Sequence, residues 1–143
     1  MIEVERTITV ERPVDPVVAY LADFGHTEEW DPGTVRCRRL DAGPVREGAR
    51  WANVSRFRGR ESELTYRLVR YRSDHLVFTG ENRTVTATDD LRLREEQGRT
   101  VITYRAQLRF KGAARLVAPL LRREFERLAD AVERSLPEVL GRG

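Results

Sequence analysis

The sequence predicts an α+β fold: a curved antiparallel sheet of seven strands wrapped around one long C-terminal helix, with two short helices between the first and second strands. Three observations carry this. Apolar residues alternate with polar ones in residues 2–11 and again in successive runs from Thr34 to Phe110. Turn residues separate those runs at hairpin spacing, and from Lys111-Gly112 to Pro137 the apolar period becomes helical. No Pro/Gly/Ser-rich or low-complexity segment interrupts the 143 residues, so one domain is expected over 1–143.

In the first strand Ile2, Val4, Ile8 and Val10 share one parity and Glu3, Glu5, Thr7, Thr9 and Glu11 the other. Arg6 falls on the apolar parity, which leaves two readings. Its stem lies on the core with the head at an edge, or it makes a buried ion pair with an acid on another element. In ERPVDPVVAYLADF, Pro13 and Pro16 suit a first helical turn, and Val17, Tyr20, Leu21 and Phe24 recur at helical steps. GHTEEW is expected to form a second short helix, with Gly25 ending the first, Thr27 as N-cap and Asp31-Pro32-Gly33 as the stop. Six strands follow: Val35 to Leu40, Ala49 to Phe57, the run holding Leu64, Tyr66 and Leu68, HLVFTG, Thr84 to Arg94, and a last one ending at Phe110. In the C-terminal helix Val117, Leu121, Phe125, Leu128 and Val132 form one stripe, and Pro119 is expected to kink it or break its first turn.

Composition excludes several classes. With 40% apolar and 34% charged residues the chain can form a core and is not disordered. The N-terminus has no continuous apolar region for a signal peptide, and a cytoplasmic location without membrane insertion is expected. Every one of the 26 basic residues except Lys111 is arginine, and the net charge is only +3. The dense spots RCRR, RFRGR and Leu121-Arg122-Arg123 are short and have acids nearby, so a solvated sheet face is preferred to a nucleic-acid footprint, which wants a continuous stripe with stacking aromatics. Cys37 stands alone and reads as a small buried hydrophobe; with His26 and His75 far apart, no metal site is expected. No G-x-S-x-G, P-loop or G-x-G-x-x-G is present, and no cofactor is expected.

A curved sheet gripping one helix stands off from it at one end, and the two short helices would plug or gate that end of the resulting cavity. The element order, with LADFGHTEEWDPG, YRLVRY, TATDDLRL and GAARLVAPLLRREFERLADAVERSL, resembles the START/Bet v 1-like (SRPBCC) superfamily, in its bacterial polyketide cyclase/dehydrase-like branch. The resemblance covers essentially the whole chain and implies a helix-grip fold around a deep hydrophobic pocket. It implies binding of a lipid- or polyketide-like small molecule, or a polyketide aromatase/cyclase or dehydratase using the same pocket. An interaction or nucleic-acid-binding protein using the arginine-rich sheet face is the remaining alternative, and a monomer or homodimer is expected.

Candidate ligand-binding residues are Phe24, Trp30, Trp51, Phe57, Tyr66, Phe78, Tyr104, Leu120 and Glu124. Trp30 anchors the short helix on the core, faces the cavity mouth, or does both. The large aromatics line the cavity or simply fill the space between sheet and helix. Tyr66 and Tyr104, mid-strand on the apolar parity, each need a polar partner. Glu124 flanks the helix stripe, where Arg6 or Arg123 could pair with it. Asp89 shares the parity of Val85, Ala87, Leu91 and Leu93 and is a possible inward acid, whereas Asp31 reads as a turn residue fixing Pro32-Gly33. His26 is expected exposed between the short helices, and no catalytic residue is assigned.

Overall fold

β1 (Ile2–Val10) enters the sheet as an edge strand with its apolar parity buried, and the chain then leaves the sheet for a helical insert. The computed structural model describes residues 1–141, so the unit expected over 1–143 is described through Gly141. The insert consists of α1 (Val14–Ala22), a single 3₁₀ turn over Phe24–His26, and α2 (Thr27–Trp30). β2 (Thr34–Arg39), β3 (Arg50–Phe57), β4 (Arg60–Arg72), β5 (His75–Glu81), β6 (Val85–Glu96) and β7 (Arg99–Phe110) follow as a meander. Every pairing is antiparallel and the spatial order is β1-β7-β6-β5-β4-β3-β2. Thus β7 closes back on β1, and the insert carries the chain from one edge of the sheet to the other.

Hairpin chemistry explains the register. Arg58-Gly59 joins β3 to β4 and Gln97-Gly98 joins β6 to β7, each pair having positive φ at both residues (54° then 79°). Consecutive left-handed residues make the type I′ turn whose twist matches the flanking strands, and glycine accepts the second position without a Cβ clash. At the β5–β6 connection Asn82 Oδ1 instead accepts from the amides of Thr84 and Val85, at 2.8 and 2.9 Å.

α3 (Ala118–Leu140) follows a 3₁₀ segment over Gly112–Leu116, and Pro119 sits in its first turn. Of the two expectations for Pro119, the broken first turn is therefore the one observed: a proline there removes no helical hydrogen bond. The helix does not end at Pro137 but runs three residues further. Leu136 and Leu140 are buried (0% and 4% exposed), and their packing outweighs the bond lost at the proline. Its end is tied to the β1–α1 connection, where Arg12 Nε donates to the Leu140 carbonyl and the Glu11 amide to that of Gly141.

Two details of the insert differ from the sequence reading. α1 stops at Ala22 rather than at Gly25, because Asp23 turns extended and its Oδ1 accepts the Gly25 amide at 2.9 Å. Thr27 is fully buried and its hydroxyl donates to the Phe24 carbonyl at 2.7 Å, so it links the two turns instead of capping α2. Arg6 lays its stem on the core and carries its head to the sheet edge, where its Nε donates to Asp130 of α3 at 3.0 Å with Glu133 at 3.9 Å; both acids are about half exposed (50% and 46%), so the pair is not a buried one. Many exposed arginines likewise meet acids, among them Arg56 with Glu61, Arg38 with Glu28 and Arg105 with Glu5. Among the described residues no helix is long and apolar enough to cross a membrane.

Candidate functional site

The inward parity of the sheet splits into two regions. At the end covered by the insert, Phe24 reaches down from its 3₁₀ turn and packs against Tyr66 and Phe78 at ring separations of 4.4 and 4.5 Å. Trp51 lies edge-on to Phe78, is wholly buried, and donates its Nε1–H to Asp23 at 3.1 Å. Asp23 thereby holds both the Trp51 indole and the turn that delivers Phe24. This end is solid.

The other region is open. α3 packs on β1 through its C-terminal half, where Ala129, Val132, Leu136 and Leu140 are buried, while toward its N-terminus it stands away from the sheet. A pocket of about 200 Å³ lies there. Its floor is the inward parity of β3, β4, β6 and β7, its roof is Phe125, Leu128, Ala129 and Val132 of α3, and its wall on the insert side is Asp31 and Gly33. At the tip of the β3–β4 hairpin, Phe57 stacks on Phe125 at 4.5 Å and Arg58 Nε lies 3.8 Å from Glu124, joining the hairpin to the helix.

Ser55, Ser62 and Gln107 also line this largely apolar space, and four further polar groups, Asp31, Tyr66, Asp89 and Tyr104, converge on it. The Tyr104 hydroxyl donates to Asp89 Oδ1 at 3.0 Å, across the β6–β7 pair. Burial raises the Asp89 carboxyl from its ordinary 3.8 to about 7; the charge of Asp31 adds to this, and the Tyr104 hydrogen bond opposes it. Asp31 accepts from the Gly33 amide through Oδ1 and the Thr34 hydroxyl through Oδ2, both at 3.0 Å, and burial raises its pKa against the pull of those two bonds. Both phenols are pushed well above their usual 10, first by burial and then by the two carboxylates. Tyr66 is only 8% exposed, and its hydroxyl makes no hydrogen bond among the described residues.

The Tyr66 ring is placed by the strand beside it. It lies over Gly80, its cross-strand partner, and a Cβ at Gly80 would stand 2.6 Å from three ring carbons. Gly80→Ala is expected to force the ring toward the pocket and to lower stability by about 1–3 kcal/mol through overpacking. Urea unfolding measures the loss, and an unchanged midpoint would show that the ring moves freely.

Of the residues singled out from sequence, Phe57, Tyr66 and Tyr104 lie on the pocket wall together. Phe24, Trp51 and Phe78 form the packed end. Trp30 is 2% exposed, meets Tyr104 edge-on at 6.2 Å, and sits behind the wall with its Nε1 buried and without a partner. Leu120 is 71% exposed on the outer side of α3. Glu124 is beside the Phe57–Phe125 stack, with Oε2 buried and unpartnered and Arg58, not Arg6 or Arg123, as its ionic neighbour. His26 is not free in its turn: it stacks on Tyr20 at 4.2 Å and its Nδ1 lies 2.7 Å from the Tyr20 carbonyl. Cys37 is buried, as a small hydrophobe would be. Asp31 holds the turn the sequence predicts for it, and the same carboxyl also faces the pocket. No local sequence signal marks that second role, because it depends on where the turn after α2 sits against α3, with Leu128 beside Gly33. The roof residues Phe125 and Leu128 were visible as the helical stripe, which had to face the inward strand parity. Among the described residues no cluster of His, Cys, Asp and Glu could hold a metal ion.

Known structures share this arrangement. A START superfamily protein from Mycobacterium smegmatis superposes with a TM-score of 0.79 at 10% identity, over 96% of each chain. The Zhui aromatase/cyclase from Streptomyces sp. R1128 gives 0.79 at 18% identity, over 96% of this chain and 92% of that one. The di-domain aromatase/cyclase StfQ of the steffimycin biosynthetic pathway gives 0.73 at 15% identity, over 97% of this chain and 50% of that one. Similarity at this level speaks for the fold alone. No curated protein matches the sequence. The family described as polyketide cyclase/dehydrase and lipid transport matches residues 1–136, which spans the sheet, the insert and nearly all of α3, and the chain belongs to that family.

Proposed function

We propose that the protein binds a hydrophobic or amphipathic small molecule, lipid- or polyketide-like, in the pocket beneath the N-terminal half of α3. The observation that carries this is a largely apolar space of about 200 Å³ with a few polar groups on its walls, the combination a ligand site needs. Family membership supports the reading. Ala106, inward on β7 and on the pocket wall, provides the test. Neutral aromatic and acyl compounds, naphthylmethanol among them, are expected to raise the melting temperature of the native protein. Ala106→Phe, which places a ring in the space, should abolish that rise while keeping a cooperative transition. No shift from any compound with the native protein would overturn the proposal.

One arrangement favours a second reading, cyclisation or dehydration of a poly-ketone in the same pocket. Asp89, poised near neutrality, can take a proton from carbon while the Tyr104 hydroxyl, released from it, donates to the developing enolate oxygen. Shape and one acid–base pair suffice for a substrate that reacts readily once folded. On this reading Ala106→Phe would also lose product formation from a linear poly-ketone.

A further inference from the structure

The charges around the pocket constrain what its occupant can carry. Two carboxyl groups, Asp31 and Asp89, face it. Neither has an ion-pair partner among the described residues. Arg56 borders the space through its backbone: its carbonyl lies 3.9 Å from where a Gly33 Cβ would stand, while its guanidinium pairs with Glu61 at 2.7 Å and is 59% exposed. Arg58, at the hairpin tip, is half-exposed with its Nε 3.8 Å from Glu124.

Hydrogen-bond capacity points the same way. Both Asp31 oxygens already accept a bond from within the turn, and Asp89 Oδ1 accepts from Tyr104. Among the described residues, none donates to Asp89 Oδ2, and the Tyr66 hydroxyl, on a side chain more than nine-tenths buried, has no partner at the pocket wall. Asp89 Oδ2 accepts once the carboxyl is ionised, and the Tyr66 oxygen can accept while its own O–H stays free to donate to an oxygen elsewhere on the ligand.

We propose that the pocket selects an apolar ligand whose buried end is a protonated amine, and rejects ligands that end in a carboxylate. This rests on the reading of the pocket as a ligand site. An ammonium would donate to Asp89 Oδ2 and to the Tyr66 oxygen and would supply the counter-charge that the fold omits. Where Asp89 is ionised, a carboxylate would add a further anion to a largely apolar space. The amine enters already protonated, and Asp89 releases its own proton to solvent, so binding weakens with acidity. The groups that face Asp89 are Asp31 from the α2–β2 turn, Tyr66 from β4 and Tyr104 from β7. β5 presents Phe78 opposite it, and α3 presents only Phe125, Leu128, Ala129 and Val132.

Naphthylmethylamine, naphthylmethanol and naphthoate share a ring and differ in the head, and quenching of tryptophan fluorescence or calorimetry reads their binding to the native chain. The amine is expected to bind at least about tenfold more tightly than the alcohol near pH 8, as one charge-assisted bond allows. Naphthoate should not saturate, and the advantage of the amine should shrink toward about pH 5 as Asp89 keeps its proton. Asp89→Asn should bring amine and alcohol to equal affinity. Naphthoate binding as tightly as the amine, or an unchanged amine preference in Asp89→Asn, would overturn this proposal and leave the pocket reading in place. Failure of all three, with no response to the neutral compounds above, would overturn the pocket reading itself.

Discussion

Trp51→Ala is expected to lower the free energy of unfolding by about 3–5 kcal/mol, a large part of the stability of a domain this size. Trp51 is 0% exposed and packs against Phe24 and Phe78, with the Arg39 guanidinium 5.6 Å from its ring centre. Truncation removes the indole from the solid end of the core and also releases Asp23, which holds the Gly25 amide. Trp51→Phe separates the two effects. It keeps most of the packing and loses the bond to Asp23, for about 1–2 kcal/mol. Urea unfolding measures both variants. Losses below about 1 kcal/mol for alanine would mean that the insert docks without its anchor.

Asp89→Asn is expected to stabilise the protein by up to about 4 kcal/mol above neutral pH and by almost nothing near pH 4. The sign follows from the upward shift of the folded pKa, from 3.8 to about 7. Between these two values the unfolded chain has ionised Asp89 while the native state retains its proton, so native stability falls as pH rises. Below about pH 4 both states are protonated and the acid has no effect. Above about pH 7 the full cost of a half-buried carboxylate without an ion-pair partner is present. Asparagine removes that cost, and its carbonyl oxygen can still accept from Tyr104. Stability curves for the native protein and the variant should converge at low pH and separate as pH rises. A constant gap would place the effect in packing instead of ionisation. The native preference for a costly acid at this position agrees with a ligand that compensates it, as stability is often given up at binding sites.

Element order was legible because its signals are local. Alternation from Ile2 to Val10, helical steps from Val17 to Phe24, and glycine after Arg58 and Gln97 each depend on a few neighbouring residues. Ends of elements were less legible. Pro137 reads as a stop, yet Leu140 is buried and the helix passes through; the deciding contacts come from the far end of the chain. Thr27 reads as a cap for the same reason that it is buried as a linker: its hydroxyl accepts or donates according to how the preceding turn is tilted.

Site residues divide along the same line. Phe57, Tyr66, Phe78 and Tyr104 all lie on inward parity, and alternation alone treats them alike. Phe78 meets Phe24 and Trp51 in the packed end, whereas Phe57, Tyr66 and Tyr104 border the pocket. Leu120 looks like a roof residue from its apolar type but points to solvent, since the stripe that faces the sheet runs through Phe125, Leu128 and Val132. By itself, then, the sequence determined the strands, the insert, the long helix and which strand faces are apolar, because periodicity and turn chemistry are properties of adjacent residues. Only the tertiary structure decided where that apolar face is filled and where it is left open with Asp31 and Asp89 on its wall. That outcome depends on where α3 departs from β1 and on how far the insert carries Phe24 across the sheet, and both are settled by contacts between residues distant in the chain.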